Sequence, residues 1–523
     1  MTAPVTSSLT ETPLRPSHTV PTPVTALAAL VGATFSAPDR SSDRASDRIP
    51  DQTLVTGVTL RAQQALPGDL FAALPSLTPG RPHGADFACT ALAAGAAAVL
   101  TDPAGAHRPA LAGATIPVLV HPDPRSVLGT LSAQIFGDPS TRLAVLGITG
   151  TSGKTTTAYL LEAGLRAAGA ATGLLGTVQT RIGDALLTSA CTTPEAPDLQ
   201  ALLALMLERG VTHVPIEVSS HALALGRVAG TTFAVGAFTN LSQDHLDFHA
   251  DLEDYFAAKA MLFDGRARAE VVCVDDVWGQ RLVTSETTTV SLGGEATWHA
   301  ADVAAQPSGS QMFRAFGPDG FDKRMAVRLP GAFNVTNALV ALAVAHATGT
   351  DPRLVLPGIA AAEVPGRMQK VDRGQDFLAV VDYAHKPAAV GALLDAVRAQ
   401  VPGRMLVVLG CGGDRDTGKR PLMGAEAARL ADLLVVTDDN PRTEDPAVIR
   451  AAMLAGARAG PAEVVEIADR AEAIAHAVTR AGPGDAVVIA GKGHETGQQV
   501  HGITHPFSDA EVLARALADR SAR

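Results

Sequence analysis

The sequence predicts an α/β protein of three domains, and three observations predict it. The chain has 523 residues, too many for one ordinary core. Short apolar runs alternate with helical, alanine-rich stretches along most of its length, the pattern of strands and helices laid down in turn. A strand, glycine-rich loop and helix coincide at "GITGTSGKTTTAYLLEAGL", Gly147 to Leu165. The formal charge of -11 works against nucleic acid or an anionic membrane as a bulk partner. Cys89, Cys191, Cys273 and Cys411 are far apart and form no C-x-x-C pair, so neither a zinc knuckle nor a disulfide framework is expected, and a reducing cytosol fits. With no apolar signal core at the N-terminus and no run of about 18 apolar residues, the chain reads as cytoplasmic, without a membrane span.

Residues 1–24 are polar and proline-rich and read as a disordered tail, and Ser36 to Pro50 as a solvated loop, because neither offers a periodic apolar face. Between them "VTALAALVGA" predicts a short helix. An N-terminal α/β domain follows over 25–140, with strands at "VTGVTL", "GDLFAAL", "AAAVLTD" and "IPVLVHP". A central α/β domain, 141–365, opens on the buried strand "RLAVLGITG". Leu160, Leu161, Gly164, Leu165 and Ala168 mark one apolar face of the helix after it. Its sheet continues through "THVPIEVSS", "FAVGAFTNL" and "AEVVCVDD", and a helix follows "GAFNVTN". The third domain, 366–523, carries five apolar strands, "FLAVVDY", "RMLVVLG", "LLVVTDD", "EVVEIAD" and "AVVIAGK", and predicts a doubly wound, largely parallel, Rossmann-like sheet. Its loops "GCGGDRD" and "GKGHE" leave the carboxyl ends of strands, where such sheets bind ligands.

In the glycine-rich loop, Gly150 and Gly153 let backbone N–H groups close on phosphate oxygens at a helix N-terminus. Lys154 is placed to meet β/γ-phosphates and Thr155 a Mg²⁺ ion, within a nucleotide cradle that also takes in Thr151, Ser152 and Thr156. The strict P-loop spacing requires glycine where Ile148 stands. His245 and His249 are spaced i, i+4, which on a helix can hold zinc, but the glutamate a zincin needs is replaced by Leu246; His221 and His249 by themselves read as satisfied histidines. Phe256, Lys259 and Phe263 fall on one helical face, and from the residues alone Lys259 reads as a snorkelling lysine. "GCGGDRD" fails as a dinucleotide fingerprint, because Arg415 occupies the third glycine position.

The variant loop "TGTSGKTT" resembles the Mur ligase superfamily, and further motifs carry the likeness from about Val58 to the C-terminus. The resemblance implies a small UDP-binding N-terminal domain, a central P-loop ATPase-like domain and a C-terminal amino-acid-binding domain. It implies Mg²⁺ at Glu217 of "IEVSSHAL" and His245 of "TNLSQDHLDFH". It further implies that Lys259 is carbamylated by CO₂ and becomes a carboxylate-like ligand of a second Mg²⁺, which a desolvated lysine of lowered pKa can do. Asn334 is then expected at the adenine, Arg367 near the phosphates and Asp382 near the ribose of ATP. "TDDNPR" looks like the recognition motif of the superfamily's UDP-N-acetylmuramoyl-L-alanyl-D-glutamate ligases, in the form associated with meso-diaminopimelate. Arg442 would grip the distal carboxylate that lysine lacks, beside Asp439, Asn440 and Pro441. Arg415, Gly491 and Glu495 would hold the other amino-acid end. Rejection of lysine by about 10⁴-fold is the order expected when a polar site is left unpaired.

Contacts to UDP-MurNAc-L-Ala-D-Glu are implied at Leu60 and Ala62, at Thr192 and Thr193 of "SACTTPEAPD", and at Ser219 and Arg227. This chain departs from the family pattern at Arg61, Ala62 and Gln63, where many relatives have D-S-R, at Cys191 for asparagine, and at Leu225 for glutamine. The activity implied is ATP-dependent amide formation in peptidoglycan precursor synthesis, by a monomer whose third domain closes about a hinge near Pro365. A lysine-adding or folylpolyglutamate-synthetase-like ligase shares the ATP site, but "DNPR" and the N-terminal domain speak against both. A catalytically silent nucleotide-binding scaffold is opposed by intact Lys154, Glu217, His245 and Lys259. A GTPase switch would need an N-K-x-D motif that is not found.

Overall fold

The computed structural model describes residues 14–36, 52–187, 191–306 and 309–521. Three sheets, each with its own apolar interior, succeed one another along the chain. The N-terminal sheet is five-stranded and, apart from its edge strand Thr34–Phe35, parallel, running through Gly57–Thr59, Asp69–Ala72, Ala98–Thr101 and Val118–Val120. The helix Val24–Val31 forms where "VTALAALVGA" predicts it. It packs Val24 and Leu27 into the same core as Leu70, Leu100 and Leu119.

The sequence-expected tail is a correction. Residues 1–13 and 37–51 lie outside the described residues, but those from 14 onward are fastened to the body. Arg15 donates to both oxygens of the buried Asp69 carboxylate and, through Nη2, to the Val58 carbonyl at 3.3 Å. The Ser17 N–H donates to Glu208 Oε2 at 2.9 Å. Thr22–Pro23 pairs antiparallel with Leu54–Val55. A polar, proline-rich composition predicted no periodic core face; the described part of the segment is held by an ion pair, hydrogen bonds, a short ladder and the packing of Leu14 and Val24.

The central sheet has eleven strands. Ala144–Thr149 lies between His213–Glu217 and Phe233–Phe238, all three parallel. Their carboxyl ends therefore open side by side, and everything that follows them in sequence is delivered to one edge. Lys154–Ala167 packs Ala158, Leu161 and Leu165 under this sheet together with the helix Phe333–Ala347, which is buried over most of its length. Beyond the predicted strands the sheet runs on into the antiparallel ribbons Trp298–Ala305, Gln311–Gly317 and Phe321–Val327.

The third sheet is doubly wound, as the five apolar runs predict. Leu378–Asp382, Ala486–Ala490, Met405–Leu409, Leu433–Val436 and Glu463–Glu466 are adjacent and parallel, in that spatial order. Met405, Val407 and Leu409 face one helical layer and Leu406 and Val408 the other, the period of two of a strand covered on both faces. Among the described residues no helix is long and apolar enough to cross a membrane.

Candidate functional site

The strand end at Thr149 releases the chain into a turn that only glycine can make at two points. Gly150 has φ 142° and a Cβ there would stand 2.0 Å from Thr239 Oγ1; Gly153 has φ 89° and its Cβ would meet Asn337 Oδ1 at 2.5 Å. The helix begins at the next residue, Lys154. Its ammonium folds back over the loop, donating to the carbonyls of Gly150 (2.9 Å) and Thr151 (3.0 Å). Desolvation, and then neighbouring Lys386, bring its pKa down to about 8. The loop is a cradle of N–H donors at a helix N-terminus whose lysine lies across it, the chemistry a polyphosphate requires.

Thr155 donates its hydroxyl to Glu217 Oε2 at 2.8 Å, and Glu217 Oε1 accepts the Thr177 N–H at 2.8 Å. This carboxylate is almost wholly buried at the end of the neighbouring strand. His245 stands on the loop after Phe233–Phe238, with its Nε2 3.0 Å from Asp244 Oδ2, and lines the same cleft of about 500 Å³ as Lys154, Thr155, Glu217 and Arg367. Among the described residues no three His, Cys, Asp or Glu side chains converge as a metal cage. A hydroxyl, a carboxylate and an imidazole facing a phosphate cradle fit a hard cation that completes its shell with water and phosphate oxygens, as Mg²⁺ does.

The reading of His249 as a satisfied histidine holds, and the reading of Lys259 is corrected. His245 and His249 share one hydrogen-bonded turn, the His249 N–H reaching the His245 carbonyl at 2.9 Å, but no helix forms, and His245 has φ 53°. Both ring nitrogens of His249 are engaged, with Asp254 (3.1 Å) and Ser220 (3.0 Å), so the pair is no zinc clamp. His221 stacks on Phe248 at 4.1 Å, and burial lowers its pKa to about 4. The lysine face is also different in detail. Phe263 lies past the end of helix Leu252–Ala260, and Phe256 packs on Trp278 at 5.2 Å. The ring beneath the Lys259 ammonium is that of Tyr255, at 4.4 Å. Lys259 does not snorkel. Its side chain is buried, its Nζ donates to the Gly150 carbonyl at 2.8 Å, and desolvation, then Lys154, hold its pKa well below that of an ordinary lysine.

The third domain reaches across this cleft. Arg367 places Nη2 3.4 Å from Thr155 Oγ1, and its guanidinium lies 4.3 Å from the Tyr383 ring centre. Lys386 pairs with Asp244. Burial pushes the Asp244 carboxyl upward, but the hydrogen bond from His245 and the Lys386 ammonium outweigh it and hold it below the usual range. Asp382 accepts the N–H groups of Met368 (2.7 Å) and Ala384 (2.8 Å), and burial raises its pKa. Asn334 donates its amide to the Pro330 carbonyl, just before its helix (2.7 Å), and accepts from Asn337 one turn on (2.9 Å), at the wall of the cleft.

On the other side of Glu217 lie the remaining central-domain residues. Thr193 donates to the Glu217 carbonyl at 2.8 Å and accepts the Ser219 N–H at 3.1 Å. Arg227 spans the Thr193 carbonyl and Glu195 Oε1, and Thr192 accepts from Thr177. Leu60 packs against the N-terminal core and Ala62 is buried in the 3₁₀ turn Ala62–Gln64.

At the carboxyl end of the third sheet three loops meet. Asn440 donates to Glu495 Oε2 at 2.7 Å, and Gly491, with φ 113°, brings the chain so close that a Cβ would lie 2.6 Å from Asp439 Oδ2. Pro441 is buried; Arg442, with φ 55°, takes its N–H to the Gln499 carbonyl at 2.9 Å and donates Nη1 to the Gly413 carbonyl. Among the described residues no carboxylate stands within ion-pair distance of this half-buried guanidinium. Arg415 is exposed, bonded only to the Asp414 carbonyl (3.4 Å), and is not brought into the cluster. Sequence reasoning missed Thr177, Asp244, Lys386, Tyr383 and Lys492. Single residues that meet across loops and domains leave no period; only the position of Lys492 inside "GKGHE" could have pointed to it.

Residues 148–345 match the family description "Mur ligase middle domain" and residues 366–493 "Mur ligase, glutamate ligase domain". The chain is 54% identical over 464 residues to a UDP-N-acetylmuramoyl-L-alanyl-D-glutamate--2,6-diaminopimelate ligase of Corynebacterium glutamicum, covering 86% of this chain and 89% of that one. It is 51% identical over 518 residues to a protein of the same description from Streptomyces coelicolor, covering 97% and 98%. A solved structure with that description superposes with a TM-score of 0.65 at 33% identity, over 91% of this chain and 97% of the other.

Proposed function

The chain belongs to the Mur ligase family, and from that premise we propose that it joins meso-diaminopimelate to the D-glutamate of UDP-MurNAc-L-Ala-D-Glu at the expense of ATP, in peptidoglycan precursor synthesis. The observation that carries the choice of acceptor is Arg442, a half-buried guanidinium with no carboxylate within ion-pair distance among the described residues. Such a group calls for an anionic ligand, and the distal carboxylate is what distinguishes diaminopimelate from lysine. The relatives that share these sequences carry diaminopimelate in their descriptions.

In this reading the nucleotide lies on the loop Gly150–Thr156, its phosphates met by the loop N–H groups and Lys154, with Asn334, Arg367 and Asp382 around it. Thr192, Thr193, Ser219 and Arg227 orient the dipeptide end of the UDP substrate toward Glu217's side of the cleft. Leu60 and Ala62 belong to its uridine end. An oxygen of the D-glutamyl side-chain carboxylate attacks the γ-phosphorus, forming an acyl phosphate and releasing ADP. The acceptor amine then attacks the acyl carbon, loses a proton, and expels phosphate with both bonding electrons. Lys154 and Arg367 balance the charge on the transferring group, and Asn440, Arg442, Gly491 and Glu495 hold the amine in line. Arg415 could join them only by turning inward. Mg²⁺ held by Thr155, Glu217 and His245 supplies charge neutralisation when bound.

Lys259 fits the proposed carbamate: a buried amine whose pKa is lowered by desolvation adds CO₂ in its neutral form and releases one proton, placing a negative group beside Gly150. The pairs Lys386–Asp244 and Arg367–Thr155 tie the third domain to the central one across the cleft. The place of action is the cytoplasm.

The test is isotopic. With ¹⁸O in the D-glutamyl side-chain carboxylate, turnover with diaminopimelate should place label in the released phosphate. Unlabelled phosphate would contradict acyl-phosphate formation.

A further inference from the structure

The loop "GKGHE" carries a lysine that the mechanism above does not use. Lys492 follows the central strand Ala486–Ala490 of the third sheet and is turned inward by glycines on both sides, Gly491 at φ 113° and Gly493 at φ 55°. Neither glycine has room for a side chain: a Cβ on Gly493 would stand 2.7 Å from the Gly366 carbonyl oxygen and from Tyr383 Cβ. The loop is therefore fixed, and it delivers an ammonium to a place where the lysine has no exposure at all.

A buried ammonium is costly unless its protons are taken. Here one goes to Glu495 Oε2 at 2.8 Å and one to Asn440 Oδ1 at 3.0 Å. The Asn440 oxygen also accepts the Gln499 N–H at 2.9 Å, which leaves its nitrogen to donate to the same Glu495 Oε2 at 2.7 Å. Lysine, amide and carboxylate form a closed triangle, and each fixes the other two. Asn440 has a single amide orientation, because two donors face its oxygen and a carboxylate faces its nitrogen. Glu495 has one oxygen saturated by two donors, and the other is thereby aimed away from the triangle.

We infer that Lys492 is a positioning residue of the amino-acid site, which holds Asn440 and Glu495 in the orientation that receives the amino-acid end of the acceptor and sets acceptor affinity without touching it. The inference rests on the reading of these loops as the acceptor site. It assigns a role in acceptor recognition to a buried residue on the loop that carries Glu495, bonded across to Asn440 on the loop that carries Arg442.

The test is steady-state kinetics of Lys492→Gln and Lys492→Met with all three substrates. Glutamine keeps a donor for Glu495 and methionine keeps only the volume, so acceptor KM should rise in that order. A rise of about 10- to 100-fold is expected for methionine, the order found when an outer partner of a ligand-holding group is removed. The KM values for ATP and UDP-MurNAc-L-Ala-D-Glu should stay within about twofold. If the methionine variant fails to fold, the glutamine variant carries the test through the same split. Unchanged acceptor KM, or a parallel rise in all three, would overturn the inference and leave Lys492 as a support of the fold. Failure of the unaltered protein to use diaminopimelate would instead refute the assignment of the acceptor.

Discussion

Replacing Arg442 by alanine removes the one guanidinium that the acceptor loop presents without a carboxylate of its own. Its Nη1 is committed to the Gly413 carbonyl, which leaves the edge formed by Nε and Nη2 to grip a carboxylate with two parallel hydrogen bonds. Charge-assisted bonds contribute about 1.5–3 kcal/mol each, so the pair amounts to about 3–6 kcal/mol. At roughly 1.4 kcal/mol per tenfold, kcat/KM for meso-diaminopimelate should fall by about 10²- to 10⁴-fold. The backbone of Arg442 is held by its ladder to Gln499 and Val500 rather than by its side chain, so the loop should survive the change. Phosphate release at subsaturating acceptor measures the effect, with L-lysine as the second acceptor. Activity with lysine should change little, and the preference should collapse. Arg442→Lys should fall between, because an ammonium cannot bind in the planar, two-pronged manner. Retention of diaminopimelate activity within about fivefold in Arg442→Ala would refute the assignment.

Three further outcomes follow from the same geometry. In the nucleotide-free, metal-free protein the Lys154 amine, with a pKa lowered to about 8, should reach its full reactivity toward an amine-directed reagent just above that pH, while exposed lysines are still gaining toward about 10.4; peptide mass spectrometry reads this, and ATP should protect. Activity in buffers stripped of CO₂ should rise on adding bicarbonate, and Lys259→Ala should abolish both activity and response; indifference to bicarbonate at saturating Mg²⁺ would count against the carbamate. In the third domain Arg470 and Asp509, both without exposure, form a two-pronged pair at 2.7 Å. Asp509→Asn should destabilise that domain by about 3–5 kcal/mol in denaturant unfolding, whereas replacing both partners by apolar residues should recover much of it.

The parts of this account that were legible in the sequence share a physical basis. Strands such as Met405–Leu409 are buried on both faces and so read as unbroken apolar runs, and the loop at Gly150 and Gly153 is dictated by backbone angles only glycine adopts. The ribbons between Trp298 and Val327 escaped notice because their strands are exposed on both faces in places, as at Asp322, Lys323 and Arg324, so no apolar run or clean alternation marks them. His245 and His249 show why i, i+4 spacing alone is weak: they share a single turn, with φ 53° at His245, and no helix. The fastening of Arg15 to Asp69, of Lys386 to Asp244 and of Lys492 to Asn440 joins residues far apart in sequence. Pairings of that kind are set by tertiary approach and carry no local pattern.

The measurement that bears most directly on the central claim is phosphate release by the purified protein with ATP, Mg²⁺ and UDP-MurNAc-L-Ala-D-Glu, with meso-diaminopimelate, L-lysine or no amino acid as third component. The account predicts rapid release with diaminopimelate alone, at least about 10²-fold above either control. Equal or faster release with lysine would contradict the role given to Arg442, and release independent of any acceptor would contradict the ligase itself.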